Sequence, residues 1–354
     1  MNVHDLIRDP LFQLNVLVWM AKEQPSTGYV VRPLFFQNGF RLVYIQHPFP
    51  FPRESILAIQ SSGLDVSERP EPELLLRRSS DQRALYFEAK AESFSPQSST
   101  AKQARGHLLA TGDVFAEVLA PLQSCLLCYV VPENSRGPMF ECLVELTQEM
   151  TDGGFGVGEF SVHGFEIQDQ DLHYSWDDRF KQHVGVDDDS DVVMTGLADD
   201  TDPSPLFLVY SAEDYPDPNR QDLLRQTLVN QVHALLLCAL NALPPSTQYD
   251  RSAEAILKEL TNGVYDYVGR KGQRQMRQLV RRNVLRRIAD YATGRFDDVI
   301  SFEGGVLGVR FPSKDRKSAF LEWLEDSRKT GFSTERVSEE PQQLLPGFGD
   351  EAEE

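Results

Sequence analysis

The sequence predicts an α/β protein, a mixed sheet flanked by helices, followed by an α-rich C-terminal region. Three observations lead there. Residues 73–131 alternate two short apolar strands, a helical pattern and a third apolar run. Residues 219–242 carry a broad apolar stripe at helical spacing, through Leu223, Leu224, Leu228, Val232, Leu235 and Leu236. Residues 252–262 and 273–292 read as two more helices before a hairpin.

Along the chain, residues 5–22 are apolar but leave helix and strand open, and Pro10 interrupts them. VVRPLFF and FRLVYIQ flank Asn38-Gly39, a hairpin signal, so 29–46 reads as two paired strands. HPFPFP at 47–52 is irregular, and 53–61 is a short helix ended by Gly63. Glu73–Arg77 and Ala84–Ala91 are strands around a polar turn; 101–119 is a helix; 124–131 is a buried strand stopped by Pro132. Residues 139–180 look β-rich, 205–210 reads as a strand, 298–311 as a hairpin turning at Gly304-Gly305, and 317–327 as a last helix. These elements suggest a domain over 1–185 with its core at about 50–132. An acidic linker over 186–204, a helical region over 205–330 and an acidic disordered tail over 331–354 complete the division.

The net charge of −19 argues against a uniformly basic, polyanion-binding surface. Its distribution weakens that objection. Asp187, Asp188, Asp189, Asp191, Asp199, Asp200 and Asp202 fall in one stretch, and Glu339, Glu340, Asp350, Glu351, Glu353 and Glu354 in the tail, with no Lys or Arg in either. Such segments read as solvated linkers, with mimicry of a polyanion as the other reading. No unbroken apolar run reaches the roughly 18 residues of a membrane helix, and the N-terminus has no basic region leading into an apolar stretch. The four cysteines are sparse and irregularly spaced. The expectation is a soluble cytoplasmic protein without a disulfide framework.

The strongest chemical signal is Glu88-Ala89-Lys90. On a strand, Tyr86, Glu88, Lys90 and Glu92 share one face, and Leu85, Phe87, Ala89 and Ala91 the other. Opposite charges two residues apart in so apolar a strand need each other, a metal ion or water. Phosphodiester hydrolysis uses that set. Mg²⁺ takes one or two carboxylates plus waters and phosphate oxygens, so Glu88 and the Ala89 carbonyl would be ligands, with Glu73 supplied by the preceding strand. Lys90 would orient the attacking water and balance charge on the phosphate.

Pro72-Glu73 followed by Glu88-Ala89-Lys90 resembles the PD-(D/E)XK pattern of restriction endonucleases and of recombination and repair nucleases. The order helix, strand, strand, helix, strand over about 50–132 resembles that family's core. The resemblance implies a restriction-endonuclease-like fold and metal-dependent hydrolysis of DNA with Mg²⁺ or Mn²⁺. Glu stands where Asp is commoner at the first acid, and Asp65 in Gly63-Leu64-Asp65 is a rival to Glu73. Glu54 matches the acid that members often carry on the first helix. Gln103 and His107 lie one helical turn apart, where some members place Gln and Tyr to contact substrate or support the site. Lys102 and Arg105 are candidates for phosphate contact.

Outside the motif, Arg270, Lys271, Arg274, Arg277, Arg281, Arg282, Arg286 and Arg287 follow one another with no acid between them. Arg274, Arg277 and Arg281 fall on one helical face, and Met276, Val280, Val284, Ile288 and Tyr291 on another. With the hairpin at 298–311 these helices resemble a winged helix, which would bring the three arginines to nucleic acid; a solvated face paired with acids is the other reading. Cys125 and Cys128 read as buried structural cysteines rather than metal ligands.

The expectation is a DNA nuclease of bacterial defence or repair, acting with a partner such as a helicase or ATPase, with homo-oligomerisation left open and no membrane involved. The competing readings are a catalytically silent DNA-binding or assembly subunit of the same fold, and a structural adaptor docking through its acidic tail.

Overall fold

The computed structural model describes residues 3–23, 31–114, 122–198, 200–201, 203, 206–210 and 218–327. The tail expected at 331–354 lies outside them. The chain divides into two compact units, Met1–Ser211 with Glu254–Arg277, and Ala212–Ala253 with Gln278–Glu354.

The first unit is built on a seven-stranded mixed sheet whose strands lie side by side in chain order: β1 (Arg41–Ile45), β2 (Leu74–Arg78), β3 (Arg83–Ala89), β4 (Ser124–Pro132), β5 (Phe160–Gln168), β6 (Asp171–Ser175) and β7 (Ser190–Met194). The first three form an antiparallel meander, β3–β4 and β4–β5 are parallel, and the last two pairs are antiparallel. In its N-terminal stretch the described helices are α1 (Val3–Leu6), α2 (Pro10–Met20), α3 (Leu34–Gln37), α4 (Arg53–Ser62), α5 (Ser99–Leu109), α6 (Arg136–Asp152) and α7 (Asp178–Val184). The central strands are apolar almost throughout because both sheet faces are covered. Tyr86, Leu127, Tyr129 and Val162 belong to one core with Ala104 and Leu108 of α5 and Leu143 and Leu146 of α6. On the other face Phe87 packs on Phe35 of α3, with ring centroids 5.1 Å apart, and Phe35 reaches Tyr174 and Phe180.

Pro10 starts α2 rather than breaking it. Asp9 caps that helix, accepting hydrogen bonds from the Leu11 and Phe12 amides. Asn38-Gly39 does not turn a hairpin: Leu34–Gln37 is one helical turn, and Gly39, at φ 83°, follows its end. The dipeptide signals a left-handed residue, and a helix terminus uses one as readily as a hairpin does. The first part of 139–180, expected to be β-rich, is helical instead: it lies in α6, whose buried Met139, Cys142, Leu143, Leu146 and Met150 keep helical spacing; β5 and β6 follow it as expected. The segment expected as an acidic linker contains β7, anchored to its neighbour β6 and tied by Asp191 to Arg32. Leu206–Tyr210, expected as a strand, is irregular and buried. Asn15 of α2 accepts from the amides of Leu208 and Val209 at 2.7 and 3.0 Å, and Trp19 donates to the Leu206 carbonyl. Side chains thus satisfy backbone groups that a strand neighbour would otherwise take.

The second unit contains α8 (Pro218–Ala242) and a three-stranded antiparallel sheet of β8 (Gln248–Ser252), β9 (Ile300–Glu303) and β10 (Val306–Arg310), with β10 in the middle. The hairpin turns at Gly304 and Gly305, both at positive φ, as expected. Phe296, Phe311, Phe320 and Trp323 pack its core around α12 (Lys314–Ser327). Between Ala253 and Ala292 run α9 (Ala253–Leu260), α10 (Arg270–Val280), a π turn at Arg281–Leu285, and α11 (Arg286–Ala292). Val284 and Leu285 are both buried, then Ile288 and Ala292, whereas Tyr291, expected on the apolar face, is 53% exposed. Over Gln221–Ala242, α8 is long and apolar enough to cross a membrane by length and composition; its polar residues break the apolar run, which hides this from a search for unbroken stretches.

Three buried histidines make the first unit sensitive to acid. Burial holds His107 below its usual pKa of 6.5, His163 well below it and His183 down to about 4. Above pH 6.5 each is neutral whether folded or not. Below it the unfolded chain binds protons that the folded chain refuses, so stability falls by up to about 1.4 kcal/mol per pH unit for each histidine. The melting temperature should therefore drop steadily from pH 6.5 to 4; a flat or rising profile in calorimetry would contradict this assignment.

Candidate functional site

β3 delivers Glu88 and Lys90 to the carboxyl end of the sheet's parallel section. Glu88 is only 4% exposed. The Lys90 ammonium donates to Glu88 Oε1 at 2.7 Å and lies 3.5 Å from Gln103 Oε1 of α5. Burial disfavours the charged lysine, but Glu88, by charge and by hydrogen bond, and the charge of Glu73 outweigh it and raise its pKa. The ammonium is therefore retained at neutral pH.

Glu73 immediately precedes β2. The antiparallel register pairs Leu74 with Phe87, and extending it by one residue sets Glu73 opposite Glu88 on the same face. Gln46 Nε2 donates to Glu73 Oε2 at 2.9 Å. One residue further, the register faces Ala89 with Pro72, which has no N–H to donate to the Ala89 carbonyl. Gln46 itself sits at φ 48°, a region non-glycine residues seldom adopt. Its amide donates to the Pro72 and Glu73 carbonyls at 3.1 and 3.2 Å.

Beneath these groups lies a closed polar layer. Glu88 Oε2 is buried without a hydrogen bond among the described residues, 3.7 Å from His107 Nε2. Tyr86 OH and His107 Nδ1 are 2.5 Å apart. Tyr129, across from Glu88 on β4, has a buried hydroxyl with no hydrogen-bond partner among the described residues. His107 is 2% exposed, which corrects its expected contact with nucleic acid: it packs under Glu88 and supports that carboxylate. Burial depresses its pKa, against the attraction of Glu88 and with the repulsion of Lys90, so at neutral pH Nδ1 accepts from Tyr86 and Nε2–H faces Glu88.

Among the described residues, none of the other expected site residues hydrogen-bonds or forms an ion pair with Glu88 or Lys90. Asp65, the rival to Glu73, is in a loop after α4, 70% exposed and paired at 2.8 Å with Lys102. Arg105 is held by Glu149 at 2.8 Å and by the Pro96 carbonyl at 3.1 Å. Glu54 is exposed in the first turn of α4 and makes no hydrogen bond or ion pair to Glu88 or Lys90. Arg274, Arg277 and Arg281 are exposed, and Arg277 approaches Glu254 at 3.7 Å. Cys125 and Cys128 are buried free thiols whose pKa values burial pushes up.

Gln13 of α2, absent from the sequence reading, also belongs to the site. It is fully buried, and its Nε2 donates to the Lys90 carbonyl at 3.1 Å and to the Ile7 carbonyl at 2.5 Å. The Lys90 amide donates to Val130, so the parallel register would satisfy the Lys90 carbonyl from position 132. Pro132 has no N–H, and Gln13 supplies the missing donor.

A divalent cation fits the donor set. The orphaned Glu88 Oε2 calls for positive charge or a donor, Glu73 is opposite, and the Ala89 carbonyl has no donor from Pro72. Among the described residues no three His, Cys, Asp or Glu side chains gather as a metal cluster; two carboxylates and a carbonyl, completed by water and phosphate, are a smaller set that suits Mg²⁺.

Replacing Gln13 by Leu should leave the Lys90 and Ile7 carbonyls without that donor and lower stability by about 1–3 kcal/mol. Urea denaturation measures this, and an unchanged midpoint would sink the assigned role. Comparison with protein-family models, curated proteins and solved structures finds no match for this chain.

Proposed function

We propose that the chain is a metal-dependent nuclease that hydrolyses phosphodiester bonds in DNA. The observation carrying this reading is the buried Glu88 carboxylate, joined to Lys90 and opposed by Glu73, with one oxygen lacking a partner. Glu88, Glu73 and the Ala89 carbonyl would hold Mg²⁺ or Mn²⁺, which when bound lowers the pKa of water and neutralises phosphate charge. Lys90 holds a proton at Nζ and donates from it, which suits a group that orients water and stabilises a developing negative charge. Gln103 anchors the far side of Lys90, and His107 and Tyr86 fix Glu88 from below. The antiparallel meander β1–β3, then α5, then β4 parallel to β3 supports the PD-(D/E)XK reading, with α4, the expected first helix, set between β1 and β2.

In the C-terminal half, the order helix, strand, helix, helix, strand, strand, with the first strand paired to the last, supports a winged-helix reading. A helicase or ATPase partner and a role in bacterial defence or repair follow only from the family analogy. A second reading, a DNA-binding or assembly subunit without catalysis, is favoured by the direct Lys90–Glu88 contact, which engages one oxygen of the proposed metal ligand.

Incubation with plasmid and single-stranded DNA in Mg²⁺, Mn²⁺ or EDTA tests the enzyme. Metal-dependent cleavage is expected, and Lys90→Ala should reduce it by at least about a hundredfold. Undiminished cleavage by Lys90→Ala would remove that residue from the mechanism; no cleavage by the intact chain with any metal would favour the second reading.

A further inference from the structure

The segment 264–277 belongs to the same compact unit as the seven-stranded sheet. Val268 bridges Ile45 at the end of β1, and the Gly269 amide donates to the Ile45 carbonyl at 2.7 Å. The approach is so close that a Cβ on Gly269 would collide with the Gln46 carbonyl oxygen. A Cβ on Gly272 would come within 2.8 Å of Val268 Cγ1. Both glycines therefore let α10 start directly against the β1 terminus. The helix is also tied to the 264–267 turn, since Gln273 Nε2 donates to the Tyr265 carbonyl at 3.0 Å.

Gln46 is the joint. Its carbonyl faces Gly269, while its amide side chain and main-chain N–H hold Glu73. The next residue, His47, feels the charge of Arg270. Arg270 and Arg274 lie one helical turn apart, both exposed, with no hydrogen bond or ion pair among the described residues. The nearby acids serve other cations: Glu254 meets Lys258 and Arg277, and Asp266 meets Lys258. In a chain of net charge −19, two uncompensated arginines at the start of a helix docked on Gln46, the residue that holds Glu73, are suited to an incoming polyanion.

We propose that Arg270 and Arg274 carry the phosphate backbone of a DNA strand to the Glu73 side of the site, with Val268, Gly269 and Gln46 fixing that track relative to the carboxylates. The proposal rests on the nuclease reading for the meaning of Glu73 and Glu88, but its test does not require cleavage. It makes the start of α10 a part of the substrate path of the sheet-bearing unit.

Binding of fluorescein-labelled single-stranded and duplex DNA to the full chain would be followed by anisotropy in EDTA across a salt series. The double variant Arg270→Ala/Arg274→Ala should bind about tenfold more weakly at low salt. Its log–log salt slope should fall by about 1.4 for single strands or 1.8 for duplex, two phosphates' worth. Arg32→Ala, beside the opposite edge strand β7, should bind like the unaltered protein. Both changes are at exposed positions, so unaltered melting curves are expected. An unchanged slope and affinity in the double variant, an equal loss in Arg32→Ala, or no DNA binding by the intact chain would overturn the track. Binding through the two arginines without cleavage under any metal would sink the nuclease reading alone. Cleavage that the double variant retains in full, with unaltered binding, would sink the track alone.

Discussion

A carboxylate removed from water in the middle of a sheet must find compensation, and much of the first unit is arranged around that requirement at Glu88. One oxygen meets the Lys90 ammonium; the other faces an imidazole too distant for a hydrogen bond. A lone buried carboxylate is costly to keep ionised. The lysine lies between two acids, and both raise its pKa. The described side chains thus set two carboxylates against one ammonium, an unusual condition for a strand whose sole task is packing.

Two prolines shape what surrounds that cluster. Pro72 and Pro132 flank the end of β3 in the registers of its two neighbours, and neither can donate a ladder hydrogen bond. The sheet therefore releases main-chain acceptors at the point where the charged side chains emerge. On one side a buried glutamine from α2 takes up the freed carbonyl; on the other Pro72 offers the Ala89 carbonyl no donor. The same amino-acid type closes the β1 corner, where Gln46 accepts an unfavourable backbone conformation to hold Glu73. Both glutamines hold members of the cluster through a backbone or carboxylate contact.

Gln103 was suggested only by the family resemblance, whereas the pair Glu88 and Lys90 was legible because strand periodicity places the two charges on one face. Gln13 was not, since an apolar helix with no clear polar face gives no sign that a buried amide answers a proline 119 positions later in the chain. His107 was legible as a member of the site but not as buried, because its depth depends on α5 packing against β3 and β4. The Asn-Gly turn and the 205–210 run misled for a related reason: each local signal was real, a positive φ in one case and burial in the other. What used the signal was set by tertiary partners. The acidic stretch around Asp187–Asp191 likewise hid a strand, because composition does not register the pairing of β7 with β6.

The π turn at Arg281–Leu285 bears on the basic segment as a matter of phase. An i→i+5 turn takes up about one residue more than an α turn, so the side chains beyond it are rotated by about 100° from where a uniform helix would aim them. The burial of Ala292 in place of Tyr291 has that offset. Arg286 and Arg287, beyond the turn, are consequently aimed away from the azimuth that a uniform helix would give them.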